Sequence, residues 1–403
     1  MFYYNIFEND RNKKRIKIKL IREGRNNMKN NEQERLYIEF GEEHYNPLGL
    51  IRSLGESGIN PVAIIKKSKK PIASKSKYIS KLHIVNSNEE GYELLIKEYG
   101  NRKVKPFLYT SDDQITSFLD NHYDELNKHF IFFNAGETGR ISKYMNKDNI
   151  NKLAIKHGLK IAKSWVVKPG EIPKDIEYPV VTKAIISTLE SWKKDSFICK
   201  NEEELKNAYK TIRSKEILIQ KFIKKKNELC LDGFSVKKGE KVLYAIASNY
   251  NDMLDNAYSN YMTVKNTYDK EIEKKLSAMF KEIGFEGIFS VEFLIDQDDE
   301  LYFLEINFRN STWSYASTKA GMNLPILWSK AMLDDSIVEN SYVKFDEFTA
   351  MAEFIDFKDR VKTHRISLLK WIKQLRNCKC LYFLNKDDMG PIYAKFLNKI
   401  KRR

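Results

Sequence analysis

Residues 287–309 most constrain the fold. They read Gly-Ile-Phe-Ser-Val-Glu-Phe-Leu-Ile, then the polar stretch Asp-Gln-Asp-Asp-Glu, then Leu-Tyr-Phe-Leu-Glu-Ile-Asn-Phe-Arg. Two runs rich in β-branched and aromatic residues on either side of a short polar turn are a hairpin pattern. With the turn centred on Asp298–Asp299, Ser290 faces Asn307, Glu292 faces Glu305 and Leu294 faces Phe303. Side chains alternate between the faces of a strand. Phe289, Val291, Phe293 and Ile295 then share a wholly apolar face with Tyr302, Leu304, Ile306 and Phe308, and that face packs on a core. Ser290, Glu292, Glu305, Asn307 and Arg309 share the other. A slip of one residue would drive the carboxylates into the core, so the pattern sets the register.

Like charges directly opposite in a sheet repel, so Glu292 and Glu305 need a neutralising partner. Two readings stay open on the residues alone. Arg309 supplies a structural ion pair, or the carboxylates and the Asn307 carboxamide oxygen form a hard-oxygen set. Such a set suits Mg2+, which takes few carboxylates and completes its shell with phosphate oxygens and water.

The chain has 403 residues, enough for two or three domains at about 150 residues each. Hydrophobic residues at 42% and charged residues at 31% exclude a disordered or collagenous chain. Lys plus Arg number 70 against 55 Asp plus Glu, a net charge of +15. That surplus points to anionic partners (phosphates, acidic substrates, nucleic acid or a membrane surface) without choosing among them. Four cysteines, with Cys378 and Cys380 as a single CxC, read as reduced thiols rather than a zinc site. No apolar run reaches the roughly 18 residues of a membrane span. A soluble cytoplasmic protein is the expectation.

Residues 1–34 form a basic extension, expected to be poorly ordered. Residues 35–139 alternate short apolar strands with helices, the pattern of an open α/β sheet. There, Asn46 and Pro47 look like the N-cap and first residue of a helix ending near Leu54. No acidic residue occurs between Ser57 and Asn86, a stretch holding Lys66, Lys67, Lys69, Lys70, Lys75, Lys77 and Lys81. It reads as a solvated loop, or as a lip attracting an anion. Residues 140–335 hold the chemistry, and 336–403 form a basic C-terminal segment.

With Glu292 followed by Glu305-Ile-Asn307-Phe-Arg309, the region resembles the ATP-grasp ligases. It is most similar to the carboxylate–amine ligases such as D-aspartate ligase, and more distantly to D-alanine–D-alanine ligase and carbamoyl phosphate synthetase. Other motifs fall in the family's order. Tyr178-Pro-Val-Val-Thr-Lys183 resembles the strand whose lysine holds the ATP phosphates. Ile217-Leu-Ile-Gln220-Lys221-Phe222-Ile223 resembles the hinge between two lobes, whose backbone bonds adenine. Glu228 stands near the ribose-binding carboxylate, and Lys147 resembles an early nucleotide-contacting lysine.

The resemblance implies an α/β and α+β chain with an ATP-grasp fold and an N-terminal open-sheet pre-ATP-grasp domain over 35–139. It implies ATP and two Mg2+ ions, with Mn2+ as a substitute, held by Glu292, Glu305 and Asn307. Lys183 and Arg309 would be catalytic. The implied reaction joins a carboxylate and an amine through an acyl phosphate, as an amino-acid ligase of cell-surface polymer synthesis does. Small-molecule substrates are expected and a nucleic-acid partner is not; homodimers are common among relatives. Ala184–Phe197 and Asn249–Val264 are lid candidates, the first lacking the family's usual glycines. The alternatives are a bicarbonate-activating carboxylase, or a non-catalytic anion- or nucleic-acid-binding protein on the same fold.

Overall fold

A computed structural model of the chain describes residues 35–185, 195–253, 260–266 and 269–400, with residues 398–400 described by their backbone alone. The extension 1–34 lies outside the described residues, as do 186–194 and 254–259 of the two lid candidates.

Five short strands, β1 (Tyr37–Gly41), β2 (Val62–Lys66), β3 (Lys81–Val85), β4 (Phe107–Thr110) and β5 (Ile131–Phe132), form a parallel sheet in the order β3-β2-β1-β4-β5. Parallel strands are covered on both faces. Accordingly Ile38, Phe40, Ile64, Phe107 and Leu108 are all buried. The helix Tyr45–Gly55 follows β1, but its N-cap is His44 rather than Asn46. The His44 Nδ1 accepts the Asn46 N–H at 3.2 Å. Asn46 lies in the first turn, buried, and its Nδ2 donates to the carbonyls of Ser111 and Asn310 at 2.7 and 2.9 Å. An exposed cap would forgo those two buried bonds, so the longer-range partners win.

Glu39 of β1 is fully buried. One carboxyl oxygen accepts from Ser111 Oγ at 2.5 Å and the other has no partner. Burial pushes its pKa up to about 8. The native state therefore holds a proton that the unfolded chain releases above its ordinary value of 4.5. Between those values stability falls as pH rises. Glu39→Gln keeps the acceptor for Ser111 and removes the charge. Its stability relative to the parent should grow from near zero at pH 5 to on the order of 2 kcal/mol at pH 8.5. Urea unfolding at the two pH values measures this, and an equal difference at both would contradict a buried, protonated Glu39.

Strands β6 (Ser164–Val167), β7 (Val180–Ala184), β8 (Ile198–Cys199) and β9 (Ile217–Lys221) form a small antiparallel sheet in the order β6-β9-β7-β8. Val180, Leu205, Ile217 and Ile219 make its own small core.

The third sheet has seven strands. They are β10 (Asn227–Val236), β11 (Lys241–Tyr250), β12 (Tyr261–Lys265), β13 (Gly287–Ile295), β14 (Leu301–Asn307), β15 (Phe348–Met351) and β16 (Cys380–Leu381). Their order is β14-β13-β10-β11-β12-β15-β16. The helix Lys270–Ile283 is capped by Asp269 and stopped by Gly284 at φ 77°. It lays Leu276, Met279, Phe280 and Ile283 on this sheet, with Phe280 stacked on Phe289 at 4.1 Å. The last two strands come from the C-terminal segment, which extends the sheet that carries the acidic hairpin.

In that hairpin Ser290 pairs with Asn307 and Glu292 with Glu305, as the alternation predicts. The pairing of Leu294 with Phe303 does not occur. The register shifts between Glu292 and Phe293, so Phe293 pairs with Phe303 and Leu294 with Tyr302. The connection runs over five residues, with Asp296 N–H donating to the Glu300 carbonyl, which brings Ile295 opposite Leu301. A bulge at Leu304 reconciles that turn with the opposed glutamates. It also turns Phe303 inward, where it is 1% exposed and 5.8 Å from the Phe293 ring. Among the described residues no helix is long and apolar enough to cross a membrane.

Candidate active site

The non-core face of the third sheet carries a polar row. β10 places Cys230 beside Glu292 and Asp232 beside Ser290, and β14 adds Glu305 and Asn307. Between this face and the parallel sheet lies a cavity of about 530 Å3. Glu292, Glu305, Asn307, Arg309 and Lys147 all line it, joined from the N-terminal side by His44, Tyr45, Asp112 and Asp113.

Each charged group in the cavity has a specific partner. The Lys147 Nζ donates to Glu305 Oε2 at 2.7 Å. Lys147 opens the helix Lys147–Lys156, which Asn146 caps. Burial works against the lysine's charge, but the Glu305 carboxylate outweighs it and its pKa lies above the ordinary lysine value. Lys147 in turn holds the Glu305 pKa below the ordinary carboxylate range. Asn307 Nδ2 donates to Glu292 Oε1 at 2.9 Å. Glu292 has no cationic partner, and burial together with the Glu305 and Glu228 charges raises its pKa. The salt bridge expected of Arg309 goes elsewhere. Its Nε and Nη2 form a bidentate pair with Asp113 at 2.7 and 2.9 Å, and Nη2 also donates to Asn307 Oδ1 at 3.0 Å.

Lys183 lies on β7 and donates to Gln220 Oε1 of β9 at 2.8 Å. Burial and the nearby Lys147 push its pKa down to about 8, against the pull of Glu305 and Glu228. Two lysines that repel one another at a buried position favour an anion between them. Glu228 on β10 is 5% exposed and pairs with Lys225 at 2.9 Å. Of the expected nucleotide-binding residues, Lys147 lines the cavity, whereas Lys183, Gln220, Lys221, Phe222, Ile223 and Glu228 do not. The Phe222 N–H donates to the Pro179 carbonyl and the Lys221 side chain turns to Glu177.

A divalent cation fits this donor set. Among the described residues Glu292 forms no direct ion pair, and it faces a second carboxylate across the strand pair. Among the described residues no group of three or more His, Cys, Asp or Glu is arranged to bind a metal unaided. The remaining positions would fall to phosphate oxygens and water, the preference of Mg2+.

Several site residues carry no local sequence signal. Asp113 pairs with Arg309 across 196 positions of sequence. His44 is kept neutral, its pKa lowered to about 4 by burial and by Arg309. Asp232 is fully buried and accepts from Ser311 and Ser314 at 2.6 and 2.8 Å. It thereby pins the segment after β14, in which Thr312 and Trp313 face the cavity.

The small antiparallel sheet, the long sheet with its acidic hairpin and the open parallel sheet before them form an ATP-grasp fold, and residues 152–313 match the ATP-grasp domain family. Among curated proteins, N5-carboxyaminoimidazole ribonucleotide synthase of Staphylococcus aureus is 27% identical over 171 residues. The match covers 39% of this chain and 43% of that protein, so less than half of the relative's length is spanned. Among solved structures, N5-carboxyaminoimidazole synthetase from Staphylococcus aureus superposes with a TM-score of 0.63 at 16% identity, over 82% of this chain and 86% of that one. The L-amino acid ligase from Bacillus licheniformis superposes with a TM-score of 0.61 at 13% identity, over 79% of each chain. Biotin carboxylase from Campylobacter jejuni gives 0.58 at 16% identity, over 78% and 75%.

Proposed function

We propose that the protein is an ATP-dependent ligase that joins a carboxylate to an amine. The observation that carries this reading is the opposed Glu292–Glu305 pair with Asn307, in one cavity with Lys147 and Arg309. Lys183 and Lys147 would hold the ATP phosphates. The hinge Gln220–Ile223 would receive the adenine and Glu228 the ribose. Glu292, Glu305 and Asn307 would hold Mg2+, which supplies charge neutralisation on the phosphates. Phosphoryl transfer depends on positioning and electrostatics rather than on a nucleophilic side chain. In the first step the carboxylate oxygen attacks the terminal phosphorus and ADP leaves. In the second the amine attacks the acyl carbon, the C–N bond forms and phosphate leaves. Arg309, paired with Asp113, would steady the anionic groups that form.

The carboxylate is an open choice. The likeness to the amino acid ligase favours an amino acid, and a role in cell-surface polymer synthesis is the corresponding pathway reading. The likeness to the carboxyaminoimidazole synthase and to biotin carboxylase favours bicarbonate. Phosphate and ADP release from Mg·ATP, measured with amino-acid pools and separately with bicarbonate and amines, distinguishes them. Turnover is expected to need one pool and to vanish in Glu305→Gln. Failure of the parent protein to bind Mg·ATP would overturn the enzyme reading.

A further inference from the structure

Two basic stretches far apart in sequence meet where the C-terminal helix packs on the segment after β2. The C-terminal helix Gly390–Ile400 packs on residues 73–75, so closely that a Cβ on Gly390 would stand 2.1 Å from the Lys75 carbonyl oxygen. Asp388, just before this helix, accepts the Lys77 N–H and the Ser76 hydroxyl. Lys395 sits 4.2 Å from both the Phe354 and Phe383 rings, near enough to Lys70 for their charges to interact. The lysine-rich stretch after β2 thus borders the C-terminal helix. Among the described residues none of Lys67, Lys69, Lys70 and Lys75 forms an ion pair. The sequence from 389 to 403 holds no acidic residue and ends Lys-Ile-Lys-Arg-Arg.

The same helix turns an apolar stripe to solvent. Tyr393, Phe396 and Leu397 are 62%, 53% and 58% exposed. Positions i, i+3 and i+4 share one side of a helix, and the helix is anchored at its start by Pro391 and Ile392, both buried.

We propose that this face docks on an anionic lipid surface. An exposed apolar helical stripe beside a lysine-rich stretch suits the boundary between acyl chains and negative headgroups. A polynucleotide would match the lysines but leave the stripe unpaired. A symmetric contact with a second copy would cover the stripe but bring like lysine clusters together. None of the residues of this patch lines the cavity of the proposed chemistry.

The test is co-sedimentation of the full chain with phosphatidylglycerol–phosphatidylcholine vesicles and with pure phosphatidylcholine. Binding is expected to the anionic vesicles in 0.1 M salt, and to be at least about tenfold weaker on neutral vesicles or in 0.5 M salt. Two variants, Y393S/F396S/L397S and K69Q/K70Q/K75Q, should each weaken it at least about tenfold, with unchanged circular dichroism and Mg·ATP binding. Equal binding by parent and variants, or none by the parent, overturns the proposal. So does a dimer in sedimentation equilibrium that Y393S/F396S/L397S dissolves without any lipid binding by the parent. Retention of oligonucleotide in place of lipid also overturns it.

Discussion

Glu292→Gln is expected to lower ATP turnover by at least about 10²–10³-fold, while leaving the nucleotide-free protein about 1 kcal/mol more stable than the parent. The two halves of that result have one cause. Glu292 faces Glu305 across the strand pair, has only the Asn307 amide as a donor, and feels the further charge of Glu228. In the absence of a cation its charge is a cost, and the isosteric amide keeps the Asn307 contact while removing the repulsion. Glu305→Gln should lose turnover to the same extent but with the opposite sign of stability. It strips Lys147, whose side chain is only 17% exposed, of its carboxylate. Thermal melts without nucleotide and steady-state phosphate release separate the outcomes. A carboxylate retained for structure alone would lower the melting temperature when replaced and spare turnover. That result at Glu292 would sink the catalytic reading. Mg·ATP should raise the parent's melting temperature and raise the Glu292→Gln temperature little, because a ligand stabilises only the state that binds it.

The difference between what the sequence shows and what it hides follows from the range of the interactions involved. Strand alternation is local, so the pairing of Glu292 with Glu305 follows from the residues between 287 and 309. The bulge at Leu304 does not, because Phe303 and Leu304 are both apolar and either can take the inward position. The Asn46 cap fails for a related reason. Asn is a good cap, but whether its amide bonds its own helix or the Asn310 carbonyl 264 positions away depends on the assembled fold. Motif order singles out Lys147, Lys183 and Arg309 as candidates. The partners that set their charges come from other layers, Asp113 from the parallel sheet's side and Gln220 from the small sheet. Likewise nothing in the basic stretch 336–403 reveals that two of its short segments close the edge of the long sheet.

That closure underlies the second large effect. Arg52→Met should cost about 3–5 kcal/mol of stability. Arg52 and Asp388 are both fully buried, and their side chains meet at 2.8 Å. The guanidinium also donates to the carbonyls of Tyr382, Phe383 and Asp388 at 2.8–3.0 Å. Removing it leaves a buried carboxylate with only the Ser76 hydroxyl and the Lys77 N–H, and strands three carbonyls. Replacing both partners, as Arg52→Met with Asp388→Leu, removes the unpaired charge. The double variant should therefore be less destabilised than the sum of the singles by about 1 kcal/mol or more. The site should register the change too. Tyr382 donates its hydroxyl to the Trp313 carbonyl, and Trp313 lines the cavity. A loosened C-terminal segment then widens the substrate wall without touching Glu292 or Lys183, so KM for the organic substrate should rise more than kcat falls. Chemical denaturation of the two singles and the double gives the coupling energy. Strict additivity, or an Arg52→Met protein as stable as the parent, would mean that the C-terminal segment is held by its aromatic packing on Tyr45 and Trp313 rather than by this ion pair.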